Sequence, residues 1–200
     1  MRVVAISGKK QSGKDTLCDL LQPKLDKLGV GRWSRIAFAD GVKDVLCRVL
    51  GVNREFVEEW KTKDEVPPGW EMTVREAMIN IGDRFREIKP TIWMDLVFRR
   101  RGNKLISDVR YKNEAALCRE QGQLIRIHRP GLGTLDNPSE TDLLEYDKVC
   151  LDAEIDGPVN LPGIPYTGFI VNDTSIEDLE EKLETRLMSG ITDSVKFFTK

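Results

Sequence analysis

Apolar residues along the chain fall into two alternating patterns, short unbroken runs and longer stretches spaced at three and four. Val3-Val4-Ala5-Ile6 is an unbroken run and predicts a buried strand. Leu17, Leu20, Leu21, Leu25 and Leu28 then recur on one helical face. Arg35-Ile36-Ala37-Phe38 predicts a second strand. Val42, Val45, Leu46, Val49 and Leu50 predict a helix that Gly51 stops. Residues 53–72 are polar, with Trp60, Trp70 and the turn Pro67-Pro68-Gly69, and read as an excursion from the core. Thr73 is placed to cap a helix running to Phe85. Pro90 opens another, which carries Ile92, Trp93, Leu96, Val97 and Phe98 and ends at Arg101-Gly102. Lys104–Val109 predicts a strand, and Asn113–Gln121 a helix capped by Asn113 and ended by Gly122. Strands are predicted again at Leu124–His128 and Gly168–Val171. Residues 130–165, rich in Gly, Pro, Asp and Asn, read as loop. A last helix follows Asp173-Thr174-Ser175 through Ile176, Leu179, Leu183 and Leu187, leaving the final ten residues as a loosely held tail.

Strands separated by helices imply an α/β fold with a central parallel sheet and right-handed crossovers. Ligands of such sheets sit beyond the carboxyl ends of the strands. That rule gathers Gly8–Thr16, Asp40–Lys43, Asp108–Asn113 and the chain from Arg129 onward.

Composition changes this picture little. Two hundred residues suit one domain with a small inserted lobe. A net charge of −2 argues against nucleic acid as a partner, since that role favours a basic surface. No apolar run approaches the ~20 residues of a membrane span. Met1-Arg2 leads directly into a strand, so no signal peptide is expected and the protein is expected to be cytoplasmic. Cys18, Cys47, Cys118 and Cys150 are widely spaced, with no CxxC pair, and read as reduced thiols. One histidine, His128, excludes any mechanism that needs two.

The chemistry concentrates after the first strand. Gly8-Lys9-Lys10-Gln11-Ser12-Gly13-Lys14 matches Gly-x4-Gly-Lys between a strand and a helix, the context a phosphate-binding loop requires. The glycines let successive N–H groups turn toward a polyphosphate, the helix N-terminus adds partial positive charge, and Lys14 adds a full one. Asp15 stands where Ser or Thr is usual, with Thr16 next. Lys43 opens a helix beyond a strand, where meeting an anionic substrate and standing in solvent beside Asp40 and Asp44 account for it equally well. Arg75 lies in a first helical turn, a poor place for a cation unless it meets an anion; Arg84 and Arg86 lie near the other end, where the dipole suits them. Trp93 suits a buried core or, second, base stacking. Asp108 and Arg110 place opposite charges at a strand end: Asp108 to orient a hydroxyl, take a proton or reach a metal, Arg110 to clamp a phosphate, or both as a structural pair. Arg129 sits at the base of the long polar loop, where a closing lid would need a cation.

Three blocks in this order resemble the deoxynucleoside monophosphate kinases of bacteriophages and some bacteria, a branch of the P-loop nucleoside monophosphate kinases. They are Ser7–Thr16, with the family's Asp after the lysine, Phe38–Asp44, and Ile106–Glu114 followed by a strand ending at Pro130. The helix with Arg75 and Gly82, then Trp93, and the segment Pro138–Glu140 after Asn137 add to the likeness. The resemblance implies a three-layer P-loop kinase fold over residues 1–200, with a helical acceptor-binding insertion at about 40–102 and a lid at about 130–165. It implies that Gly8, Lys10, Ser12, Gly13, Lys14, Asp15 and Thr16 hold ATP and its Mg²⁺, with Asp15 and Thr16 toward the metal. It implies that Lys43, Arg75, Arg84, Trp93, Asp108 and Arg110 hold a deoxynucleoside monophosphate, with Lys14, Arg110 and Arg129 acting in transfer. A homodimer stays open beside a monomer, and a viral origin would place the protein in the host cytoplasm. The alternatives are a P-loop kinase for another small acceptor, such as dephospho-coenzyme A or phosphomevalonate, and a non-catalytic nucleotide-binding module.

Overall fold

The computed structural model describes residues 1–133 and 141–197. They form two compact units, one of residues 1–36 and 101 onward, the other Ala37–Arg100.

The first unit is built on a six-stranded sheet. Its strands are β1 (Val3–Ser7), β2 (Trp33–Ile36), β3 (Asn103–Val109), β4 (Gly122–His128), β5 (Gly157–Pro158) and β6 (Gly168–Val171), in spatial order β2-β3-β1-β4-β6-β5. The first four pairings are parallel, and only β5 runs antiparallel, along the edge of β6. That edge strand was not expected from the sequence, because two residues carry no alternation.

Side chains alternate across the sheet. Val4, Ile6, Leu105, Ile125 and Ile127 face one layer of helices, packing with Leu17, Leu21 and Leu25 of α1 (Lys14–Asp26). Each of those leucines is fully buried, which stabilises by about 1.5–3 kcal/mol. Leu179, Leu183, Ile191 and Val195 join the same cluster. They come from α8 (Ile176–Lys182), a π-helical turn (Leu183–Leu187) and α9 (Met188–Phe197). The expected loose tail is therefore a helix through Phe197, with Ile191 and Val195 only 2% exposed. The opposite face carries Ser7 and Arg126, covered by α6 (Lys112–Gln121) and α7 (Leu144–Asp152). The result is the α/β arrangement with a mostly parallel sheet that the pattern implied, in the three layers that the resemblance implied. Two further expectations are corrected: the stretch 130–165 contains α7, and Tyr111 rather than Asn113 stands at the N-terminal boundary of α6.

The second unit is helical: α2 (Ala39–Leu50), α3 (Arg54–Trp60), α4 (Val74–Ile88) and α5 (Ile92–Phe98). Helix α3 lies within the stretch expected to be an irregular excursion. Asn53 caps it by accepting the Phe56 N–H at 2.8 Å, and Val57 is fully buried against Leu46, Val74 and Ala77. Thr73 caps α4 in a capping box with Glu76, as its sequence spacing predicts.

Candidate functional site

The glycine loop joins β1, a central strand, to α1. Gln11 and Gly13 both take the left-handed conformation, φ 63° and 99°, which turns the chain back on itself. Gly8 needs its missing side chain for a different reason. A Cβ there would stand 2.4 Å from Ser12 Oγ and 2.7 Å from the Ile127 carbonyl oxygen. The Lys14 ammonium donates to the Lys9 carbonyl, lying along the inside of the loop, 9% exposed. Ser12 Oγ is buried and has no hydrogen-bond partner among the described residues. Gly13 is the N-cap of α1 and, having no side chain, adds no side-chain cap to that helix. Loop, helix dipole and lysine are the elements from which an anion site can be built.

Asn172, just past β6, fixes this turn from outside. Its Nδ2 donates to the Ser12 carbonyl at 2.9 Å, and its own N–H donates to the His128 carbonyl at 2.7 Å. It also lies where any Cβ on Gly13 would fall, 2.5 Å away. Sequence reasoning missed Asn172, since a lone Asn after a strand reads as a turn residue.

Asp15 is exposed in the first turn of α1 and pairs with Arg35 of β2, which also binds Asp19 at 2.7 Å. Thr16 follows it, half-buried, and Lys10 is exposed. Burial pushes the neighbouring Cys18 thiol up to about 12, so it stays protonated.

The end of β3 is irregular. Its pairing with β1 shifts register between Ala5 and Ser7, so that Ser7 sits opposite Val109. The extra residue re-aims the strand end, as bulges beside binding sites do. Beyond it, the buried Glu114 carboxylate accepts the N–H groups of Arg110 at 2.8 Å and Tyr111 at 3.2 Å, fixing the backbone that carries Arg110. Asp108 and Arg110 are both half-buried here.

Behind these loops lies a buried polar chain. Ser7 Oγ donates to the Val109 carbonyl at 2.8 Å and accepts from Arg126 at 2.9 Å. The other Arg126 nitrogen binds Asp147, which also accepts from the Tyr166 hydroxyl at 2.9 Å. Burial pushes the Tyr166 phenol far above its usual range. Half-burial lowers His128 below its usual value, so it is held neutral. Arg129 is exposed at the first position past β4. Asn137 and Pro138–Glu140 lie outside the described residues.

In the second unit, Lys43 is not a solvent lysine. It is 9% exposed and donates to Glu58 at 2.7 Å, with Asp40 at 3.9 Å. Burial alone would raise the Glu58 carboxyl, but Lys43 and Lys61 bring it down to about 2. Arg54 binds Asp40, Asp44 and Glu58 around it. Arg75 is half-buried in the first turn of α4. Arg84 is exposed and pairs with Glu87 at 3.0 Å, and Arg86 pairs with Asp83 at 3.0 Å. Trp93 is a core residue rather than an exposed stacking surface. It is 2% exposed, its Nε1 donates to the Gly82 carbonyl at 3.1 Å, and its ring packs on Phe85 and against Gly41.

No helix among the described residues is long and apolar enough to cross a membrane. Among them, no three His, Cys, Asp or Glu side chains cluster as a metal cage. No family model matches the chain, and no curated protein matches it. Among solved structures it is similar to a shikimate kinase from Acinetobacter baumannii in complex with shikimate, at 14% identity and TM-score 0.49 over 95% of this chain and 94% of that one. It is similar to a dephospho-CoA kinase from Campylobacter jejuni at 12% identity and TM-score 0.42, over 96% and 98%. It is also similar to the Mycobacterium tuberculosis APS kinase in complex with AMPPNP and APS, at 16% identity and TM-score 0.37, over 92% and 95%.

Proposed function

We propose that this protein transfers the γ-phosphoryl group of ATP to a deoxynucleoside 5′-monophosphate. The observation that carries the reading is the loop itself. A lysine ammonium, two left-handed turns and a helix start with no side-chain cap fall within seven residues of one another, and in this conformation Lys14 is engaged with a loop carbonyl. A triphosphate would take over that ammonium from the Lys9 carbonyl. Lys14 then neutralises charge that builds up as the phosphoryl group moves.

The acceptor phosphate is already an anion, so the reaction needs alignment more than a base. Arg110 holds the acceptor phosphate through its planar fork, and Asp108 orients the acceptor from the same strand end. Arg129, at the first position past β4, adds positive charge to the transferring group. In the helical unit, Lys43, Arg75 and Arg84 recognise the acceptor; Trp93 supports them as core. Lys10 and Ser12 add donors to the ATP phosphates. The order of the three sequence blocks supports a deoxynucleotide acceptor over other small ones.

Mg²⁺ fits this donor set. The Thr16 hydroxyl and the Asp15 carboxylate are hard oxygen ligands, and Mg²⁺ is commonly held by one or two protein oxygens plus phosphates and water rather than by a protein cage. Bound there, it would neutralise phosphate charge. Asp15→Asn separates the two ligands: if Asp15 takes part, the Mg²⁺ concentration for half-maximal activity rises. An unchanged requirement assigns the metal to Thr16 and leaves Asp15 as the dipole's counter-charge and the partner of Arg35.

Transfer of label from γ-³²P-ATP tests the acceptor. Labelled deoxynucleoside diphosphate supports the reading. Label appearing only on dephospho-coenzyme A or phosphomevalonate moves the protein to another acceptor. Tight ATP binding with no labelled product makes it a nucleotide-binding module.

A further inference from the structure

Arg126 lies on β4. It is 4% exposed, in the middle of the sheet, and bound to Asp147 of α7, itself 3% exposed. A buried ion pair is a weak source of stability, because desolvating both charges offsets their attraction. Its Nε has no partner among the described residues, so the site is not even fully satisfied. Net stabilisation is therefore a poor account of why a charge is placed here.

Geometry gives a better one. Through Ser7, Arg126 reaches the residue before Gly8 and, through the Ser7 hydroxyl, the carbonyl of Val109, the residue before Arg110. Arg126 itself lies three residues before Arg129 on β4. Asp147 belongs to α7, which follows β4 in the chain, and Tyr166 locks its second oxygen. One connected set of hydrogen bonds thus joins the strand ends that carry Lys14, Arg110 and Arg129. Removing Arg126 or Asp147 leaves the other's buried charge alone, and the neutral links Ser7 and Tyr166 hold that pair in place, so the set behaves as a unit.

We infer that Arg126, with Asp147 and Tyr166, is a positioning device that sets the phosphate loop, the Arg110 turn and the Arg129 loop in mutual register. It touches no substrate and acts through Ser7, Val109 and α7. In its catalytic consequence the inference rests on the kinase reading.

The test is Arg126→Met with Asp147→Leu, which replaces the pair by apolar groups of similar size. Each single variant should lower the melting temperature, since each strands one charge. The double variant should regain most of that loss. Two readouts then separate positioning from stability. Amide hydrogen exchange at residues 8–14, 110–112 and 129–133 should be about tenfold faster than in the wild type, in all three loops together. Phosphoryl transfer should stay down by about tenfold to a hundredfold in kcat, with the KM for ATP changed much less. Tyr166→Phe, which keeps both charges, should show the same three-loop acceleration in weaker form and serves if the double variant does not fold. Recovered melting temperature with wild-type exchange in the three loops, or Tyr166→Phe exchange confined to its own surroundings, overturns the inference. Exchange is read in apo protein. If the wild type transfers no phosphoryl group, the kinase reading fails while the exchange result still decides the positioning role.

Discussion

The two units each contain a cation held by carboxylates, and they hold it in opposite ways. In the sheet unit, the side chains of Arg126 and Asp147 are 5% and 4% exposed. In the helical unit, the side chains of Glu58 and Arg54 are 39% and 34% exposed around Lys43. The first pair is dry, so neither member can leave without abandoning a buried charge. The second is shared: Glu58 serves Lys43, Lys61 and Arg54, and Arg54 also serves Asp40 and Asp44. A ligand phosphate could replace one carboxylate there while the rest remain paired. The contrast separates what must stay fixed from what can exchange. On the proposed function, rigid alignment would belong to the phosphate loop and its neighbouring strand ends, and exchangeable recognition to the helices.

The sharpest break in that contrast is at Lys14. Lys14→Ala should cost roughly 10²–10⁴ in turnover, the scale of one preorganised electrostatic group, with ATP binding reduced less. Single-turnover kinetics beside nucleotide titration would measure both. A folded variant with near wild-type turnover would remove the fixed half of the account.

Ile191→Ala probes how far the dry core extends. The side chain is 2% exposed in the cluster under α1, so the variant should lose about 2–5 kcal/mol in denaturant unfolding. A loss below about 0.5 kcal/mol, the range of ordinary surface changes, would return the last helix to a loose tail.

That helix shows where sequence was legible and where it was not. Met188, Ile191 and Val195 do carry helical spacing, but Gly190 and the chain end outweigh it on paper. Helix α3 was hidden in the same way, among charged residues, although Asn53 with Phe56, Val57 and Trp60 is a cap and an apolar face. The strands β1, β3, β4 and β6 were readable because short apolar stretches rich in Val and Ile are bounded there by Gly or polar residues. The loop was readable because its glycines, lysine and flanks lie within ten residues. Asn172 and the Arg126–Asp147–Tyr166 set were not. Each depends on partners 19 to 160 residues away, and nothing local marks a buried Asp or Arg.

Arg110→Lys should have a smaller effect. It keeps the charge and loses the fork. The KM for the monophosphate should rise about tenfold and kcat fall modestly, with the KM for ATP little changed. A purely structural Arg110 would instead show a lower melting temperature and unchanged KM values.

Glu58→Gln is the mildest change. The folded carboxyl sits at about 2, below the usual 4.5, so its stabilisation is present above the usual value and is lost as pH falls through about 2. Solvent screening keeps that contribution to about 1 kcal/mol or less. Melting curves should show wild type ahead of the variant at pH 6, converging as pH falls from 4.5 toward 2. A gap that persists at pH 2 would mean that Glu58 acts through packing rather than charge.

The central claim, a fixed phosphate-transfer half serving an exchangeable acceptor half, is tested most directly by coupled ADP release measured across all common deoxynucleoside and ribonucleoside monophosphates. The account predicts ADP release that depends on a deoxynucleoside monophosphate and disappears with Lys14→Ala. Release that is equal with and without any monophosphate, or absent with every one of them, would contradict it.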